Sequence, residues 1–137
     1  MDALRALTEL TEISSQIEAA CLFEIDGSGG SSTLPGDERS KLFVRSARAL
    51  LHAARSAHTG EAPLVQLEAA TLQGSVLIVV DGDVAAAAVT GESPTVGLVF
   101  YDLKSCLRAA RTPGDGDGRP RPKARKREAA SPSESAA

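Results

Sequence analysis

The most constraining stretch of the sequence is an apolar run that ends in a tight-turn dipeptide. Residues 76–80 are all apolar and mostly β-branched, a pattern that predicts a central β-strand covered on both faces. Asp81-Gly82 follows, and this dipeptide favours a type I′ hairpin turn. Residues 84–89 are therefore predicted to return antiparallel beside the first strand, and the fold must place a layer of structure on each side of a sheet.

The predicted return strand carries four consecutive alanines, at positions 85–88, which favour a helix by intrinsic propensity. Because the run lies between Gly82 and Gly91, it is too short for an independent helix, and we predict a strand. Another strand is indicated over residues 65–71, where apolar and polar positions alternate.

The N-terminal region predicts a helix followed by a hairpin. Leucines recur at helical spacing in the first dozen residues. Residues 19–25 then alternate with the period of a strand that has one apolar and one mixed face. A turn rich in glycine and serine at 26–32 leads to a short second strand that ends near Leu34.

The clearest helical pattern covers residues 38–57, and Asp37 is its predicted N-cap. One side of this helix is apolar and is formed by Phe43, Ala47, Leu50, Leu51 and Ala54. The other side, which we call the basic flank, is formed by Lys41, Arg45, Arg48, His52 and Arg55. A last helix is predicted after Pro94-Thr95, and Pro113 ends it.

These elements predict an α/β fold of the α+β type. It is an antiparallel five-stranded sheet with helices on both faces, in the order α-β-β-α-β-β-β-α. The chain of 137 residues is long enough for one domain, which we place at residues 1–112. Residues 113–137 lack periodicity and are predicted to form a disordered tail with a basic segment at 119–127.

The charge differs between these two parts. Residues 1–112 carry 9 Lys and Arg against 14 Asp and Glu, a net charge of −5, whereas residues 113–137 carry 6 against 4, a net charge of +2. Nucleic-acid binding through the tail is an alternative function that this charge suggests. The basic segment has no aromatic side chain for base stacking, so we do not favour it.

No motif in the sequence predicts catalysis, a cofactor or a metal site. His52 and His58 have no cysteine nearby, Cys21 and Cys106 lack the spacing of a zinc site, and no phosphate-binding or nucleophile-elbow motif is present. Both cysteines are predicted to be buried in a reducing compartment. Because no catalytic motif is present, we expect a protein that is not an enzyme. The sequence shows no signal peptide or membrane span, so we expect it in the cytoplasm. The Arg- and Ala-rich composition suggests a bacterial protein.

Three stretches resemble the roadblock domain family, which includes dynein light chains and bacterial MglB-type regulators of small GTPases. They are the strand end Phe23-Glu24-Ile25-Asp26-Gly27, the hairpin at residues 74–83, and the sequence Pro94-Thr95-Val96-Gly97-Leu98-Val99-Phe100-Tyr101-Asp102-Leu103 that opens the last helix. The resemblance covers about residues 4–111, and the order of elements fits without gaps.

The resemblance implies a homodimer in which the third strands pair across a two-fold axis and the long helices lie side by side. The implied dimer interface comprises Leu64, Val65, Gln66, Leu67, Glu68 and Ala69. It also implies that a Ras-like small GTPase binds the long helix, for which the basic flank is the matching surface. The alternative interpretation of the basic flank is a solvated helix face, and a small-ligand sensor is the alternative function.

Overall fold

The computed structural model describes residues 2–111, and its elements follow the predicted order. They are α1 Ala3–Ile13, β1 Ile17–Glu24, β2 Gly30–Ser32, α2 Asp37–Ala57, β3 Gln66–Ala70, β4 Ser75–Asp81, β5 Val84–Thr90 and α3 Val96–Arg111. The predicted basic tail lies outside the described residues.

All five strands form one antiparallel sheet in the order β2-β1-β5-β4-β3. β4 and β5 form the predicted hairpin, but Asp81 pairs with Val84, so its two turn residues are Gly82 and Asp83. Gly82 has a φ of 68° and Asp83 has no positive φ, which is the type II′ pattern, so the prediction of a type I′ turn is wrong. The alanines at 85–88 lie in β5 at the centre of the sheet. Sheet pairing with β1 and β4 therefore outweighs their helical propensity.

The sheet is covered on both faces, as the apolar run at 76–80 predicts. On one face α1 and α3 pack against residues that include Leu22, Leu77 and Val79. On the other face α2 packs mainly over β1 and β2, against Cys21 and Phe23. The four alanines of β5 are fully buried between these layers.

β1 differs from its predicted form at both ends. It begins at Ile17, and a bulge between Ile17 and Ala19 shifts its register with β5. Because a bulge breaks the two-residue period, Ile17 shares a face with Ala20 and Leu22. Ala20 and Leu22 of the predicted mixed face are buried under α1 and α3, and Glu24 is exposed, as a face of mixed composition predicts.

α2 also begins differently from the prediction. Its N-cap is Gly36, which has a φ of 86° and makes no side-chain capping bond, so the prediction of Asp37 as N-cap is wrong. Asp37 is the first helical residue, and its carboxylate lies 3.0 Å from the ammonium of Lys41. The fully buried side chains of α2 are Val44, Ala47 and Leu51, while the predicted inner residues Phe43, Leu50 and Ala54 are only half-buried.

No helix among residues 2–111 is long and apolar enough to cross a membrane.

Candidate partner-binding surfaces

Arg48 on the basic flank of α2 holds the loop between β1 and β2, residues 25–29. Its Nε donates a hydrogen bond to the carbonyl of Glu24 at 2.9 Å, and its Nη2 donates one to the carbonyl of Gly29 at 2.7 Å. The guanidinium also lies over the ring of Phe23, with Cζ 5.5 Å from the centroid. One side chain thus ties both ends of the loop to the helix.

His52 adds a third contact to the same loop. Its Nε2 lies 2.9 Å from the carbonyl oxygen of Ile25, so that nitrogen is the donor. The side chain of His52 therefore fixes the start of the loop, and the interpretation of a purely solvated helix residue does not hold for it. Sequence patterns could not reveal either contact, because the acceptors are main-chain carbonyls 24 and 27 residues away.

The loop and the basic flank enclose an open groove of about 500 Å³. One wall is the loop segment Ser28–Gly30, and the other is formed by Lys41, Val44, Arg45 and Arg48 of α2. Gly30 permits this close approach, because a Cβ at that position would lie 2.7 Å from Cγ1 of Val44. The groove therefore depends on the glycines that sequence analysis assigns only to a turn.

The remaining members of the basic flank are exposed. Arg45 makes no hydrogen bond or ion pair with another described residue. Lys41 pairs with Asp37, but their side chains are 74% and 81% exposed, and such a surface pair contributes little to stability. Arg55 is exposed near the C-terminal end of α2. The structure brings Lys41, Arg45 and Arg48 together at the groove and leaves Arg55 outside it.

We expect Arg48→Met to lower the free energy of unfolding by about 1–2 kcal/mol, because two hydrogen bonds and a ring contact are lost at a partly exposed site. Urea denaturation at fixed protein concentration measures the change. Arg45→Met is the matched control and is expected to stay within about 0.5 kcal/mol of the wild type. Equal losses from both substitutions would contradict the assigned role of Arg48.

β3 is an unpaired edge of the sheet. The amide of Val80 donates to the carbonyl of Val65, and the amide of Thr71 donates to the carbonyl of Gly74. Since bonded residues alternate along an antiparallel pair, Leu67 and Ala69 also bond to β4. The main-chain groups of Gln66, Glu68 and Ala70 therefore point away from the sheet, and this free edge can pair with another strand.

The sheet face next to this edge is incompletely covered. Because α2 lies mainly over β1 and β2, the side chains of Leu67, Val76 and Val80 on the same face are only half-buried. Phe43 and Leu50 on the adjacent side of α2 are half-buried as well. We call this surface the apolar flank of α2; it comprises Phe43, Leu50, Ala54, Leu64, Leu67, Val76 and Val80.

The residues predicted for the dimer interface lie at this edge. Leu64, Leu67 and Ala69 are half-buried, and Val65, Gln66 and Glu68 are exposed. Val65 exposes 52% of its surface. Exposed apolar side chains next to an unpaired strand are typical of an interface.

Neither cysteine in residues 2–111 is suited to act as a nucleophile. Burial raises the pKa of the Cys21 thiol to about 12 and that of Cys106 to about 11, so neither forms the nucleophilic thiolate at neutral pH. Within residues 2–111, no group of three or more His, Cys, Asp or Glu could hold a metal ion.

A small apolar cavity bears on the alternative of a ligand sensor. It lies between the start of α1, the end of α3 and the β1–β2 hairpin, and its volume is about 240 Å³. Pockets for small ligands usually measure roughly 300–1,000 Å³. The cavity therefore gives little support to a sensor, and the open surfaces at α2 and β3 remain the better candidates.

The sequence matches no model of a known protein family and no curated protein. Solved structures do match. A Roadblock/LC7 domain from Streptomyces avermitilis is similar with a TM-score of 0.72 and 16% identity, over 81% of this chain and 96% of that one. The chain has the roadblock fold.

Two structures of MglB share the roadblock fold with this chain. MglB of Myxococcus xanthus is similar with a TM-score of 0.65 and 14% identity, over 77% of this chain and 89% of that one. An MglB described as having a tetrameric arrangement is similar with a TM-score of 0.63 and 16% identity, over 79% and 84% of the two chains. The predicted resemblance is thus confirmed at the level of the fold.

Proposed function

We propose that this chain is a non-catalytic regulatory adaptor that forms a homodimer and binds a Ras-like small GTPase. The observation that carries the proposal is the pair of open surfaces on a roadblock fold: the free edge of β3 with the apolar flank of α2, and the basic flank of α2. The first is suited to self-association and the second to an acidic partner.

Dimerisation is supported by the way the free edge and the apolar flank adjoin. A second copy paired along β3 would extend the sheet and place its own α2 near the half-buried Phe43 and Leu50. The main-chain groups of the edge would then be hydrogen-bonded, and the apolar side chains would be buried. Such an isologous contact is the commonest way in which soluble proteins assemble.

The proposal of a GTPase partner is supported by the charge of the basic flank and by the resemblance to MglB-type regulators. The basic flank lies on a domain whose net charge is −5 over residues 1–112, so its potential opposes that of the rest of the surface. Complementary charge speeds association and selects the partner. A negatively charged surface of a small GTPase is the partner that the resemblance implies.

We expect Glu68→Pro to raise the Kd of the dimer by about tenfold or more. Proline removes an amide that points away from β4, so pairing with a second strand loses hydrogen bonds worth roughly 1–1.5 kcal/mol while the bond pattern with β4 is kept. Sedimentation velocity over a concentration series measures the change.

Glu68→Ala is the matched control, because it removes the same side chain and retains the amide. We expect its Kd to stay close to that of the wild type. A wild-type protein that is monomeric at micromolar concentration would refute the dimer, and equal effects of the two substitutions would show that β3 pairing does not form it.

The proposed GTPase partner is tested with the Ras-like GTPase that is encoded nearest to the gene for this chain. The purified GTPase is loaded with GDP or with a non-hydrolysable GTP analogue, and binding to the full chain is measured by biolayer interferometry. We expect binding that weakens as salt rises, since exposed charges are screened. The absence of binding in both nucleotide states would refute this partner.

A further inference from the structure

We propose that the groove between the β1–β2 loop and α2 receives an acidic, partly apolar segment of the partner protein. In this arrangement Lys41 and Arg45 contact the partner, whereas Arg48 and His52 position the loop that forms the opposite wall. The inference rests on the proposed function, and it specifies which part of the basic flank binds.

The walls of the groove are already in place without a partner. Arg48 and His52 hold the loop at the carbonyls of Glu24, Ile25 and Gly29. Binding therefore does not require the loop to be ordered, which lowers the entropic cost of association. Because the guanidinium of Arg48 already donates to two loop carbonyls, fewer of its donors are available to a partner. Arg48 therefore acts as a positioning residue.

The groove has hydrogen-bond donors that no described residue uses. Arg45 is exposed and makes no contact of this kind within residues 2–111. The main-chain amides of Ser28 and Gly29, two residues that line the groove, also donate to no other described residue. Lys41 can leave its exposed pair with Asp37 at little cost. Together these groups suit carboxylates placed along the groove.

An acidic segment of a protein fits the groove better than a phosphate does. Asp37 also lines the groove and pairs with Lys41. A compact dianion at Lys41 would meet this carboxylate, whereas an extended segment can place its own carboxylates beside Arg45, about two turns of α2 beyond Asp37. The floor of the groove is lined by Val44, which is almost fully buried, and by the glycines at 29–30. None of them has a polar side chain, so small apolar side chains of a peptide fit there. A peptide in which acidic and small apolar side chains alternate would satisfy both the donors and the floor.

The groove stays open in the proposed dimer. At 100° per residue, Lys41, Arg45 and Arg48 lie on one side of α2, and Phe43 and Leu50 lie on the other side of its buried stripe. A second copy that covers the apolar flank therefore leaves the groove uncovered, and each dimer presents two grooves.

The experiment uses the full-length chain with two probes: the nucleotide-loaded GTPase described above, and a capped peptide of alternating glutamate and valine. We expect Lys41→Glu and Arg45→Glu each to weaken GTPase binding by about tenfold or more. Lys104→Glu on α3 makes the same charge change outside the groove and should leave affinity unchanged. The glutamate peptide should shift the amide NMR signals of Ser28–Gly30 and Arg45, and a glutamine–valine peptide should not.

The outcomes separate this inference from the proposed function. If the GTPase binds and Arg45→Glu leaves its affinity unchanged, the groove is refuted while the adaptor function stands. If the GTPase does not bind but the glutamate peptide shifts the groove signals, the groove stands and the GTPase is refuted. Equal shifts from both peptides, or the same shifts from inorganic phosphate at lower concentration, would overturn the inference.

Discussion

Gly74→Ala is expected to lower the free energy of unfolding by about 3 kcal/mol, the upper end of the usual cost of overpacking. A Cβ at this position would overlap the main-chain carbonyl oxygen of Thr90. Because that oxygen belongs to the sheet backbone, relief requires β4 and β5 to move apart or the turn before β4 to shift. The carbonyl of Gly74 also accepts bonds from the amide and hydroxyl of Thr71.

Gly97→Ala serves as the control for this substitution. Gly97 lies in the first turn of α3, and a Cβ there would meet nothing within 4 Å. Since alanine favours helix over glycine, the control should keep or slightly raise stability. Urea denaturation of both variants at one protein concentration measures the difference, and equal stability of the two would refute the predicted overlap.

Gly30→Ala is expected to cost about 2 kcal/mol for a related reason. The new Cβ would lie 2.7 Å from Cγ1 of Val44 and 3.0 Å from the carbonyl oxygen of Leu22. Val44 is buried and β-branched, so its side chain has little room to move and α2 must rise from β2. The contact with the carbonyl oxygen also requires β2 to shift against β1. The substitution should therefore disturb the groove as well as the fold.

Gly29→Ala is the matched control one residue earlier in the chain. Its Cβ would come no closer than 3.7 Å to another heavy atom, an ordinary contact distance. We expect a loss below about 0.5 kcal/mol and unchanged amide signals for α2. A large loss from Gly29→Ala, or none from Gly30→Ala, would show that the close approach of Val44 does not fix the position of the helix.

Local pattern was sufficient to predict the strands and helices of this chain. The Asp81-Gly82 dipeptide and the apolar run before it predict the hairpin correctly, although not its turn type, and the spacing of apolar residues predicts α2 and α3. These signals depend on neighbours within a few residues, which is the range over which sequence and conformation are directly linked.

Features that depend on tertiary contacts were beyond the sequence pattern. The helical projection predicts Phe43 and Leu50 in the core, but α2 covers only part of the sheet and leaves both half-buried. Val44, which the projection leaves out, is buried with Ala47 and Leu51. The bulge near Ile17 places that side chain on the face of β1 that α1 and α3 cover. The sequence pattern assigns Arg48 and His52 to a charged helix face. It cannot predict their hydrogen bonds, because the acceptors are backbone carbonyls on a distant strand and loop.

The pairing of β1 with β5 has a consequence for how the domain is made on the ribosome. Ile17 pairs with Thr90, so β1 lies between its neighbour in the chain and the last strand to be synthesised. Until β5 emerges, β1 can pair only with the three-residue β2 on one edge, and its other edge stays unpaired. Completion of the fold must therefore wait for nearly the whole domain to leave the exit tunnel, and the partly made chain is the form most exposed to aggregation.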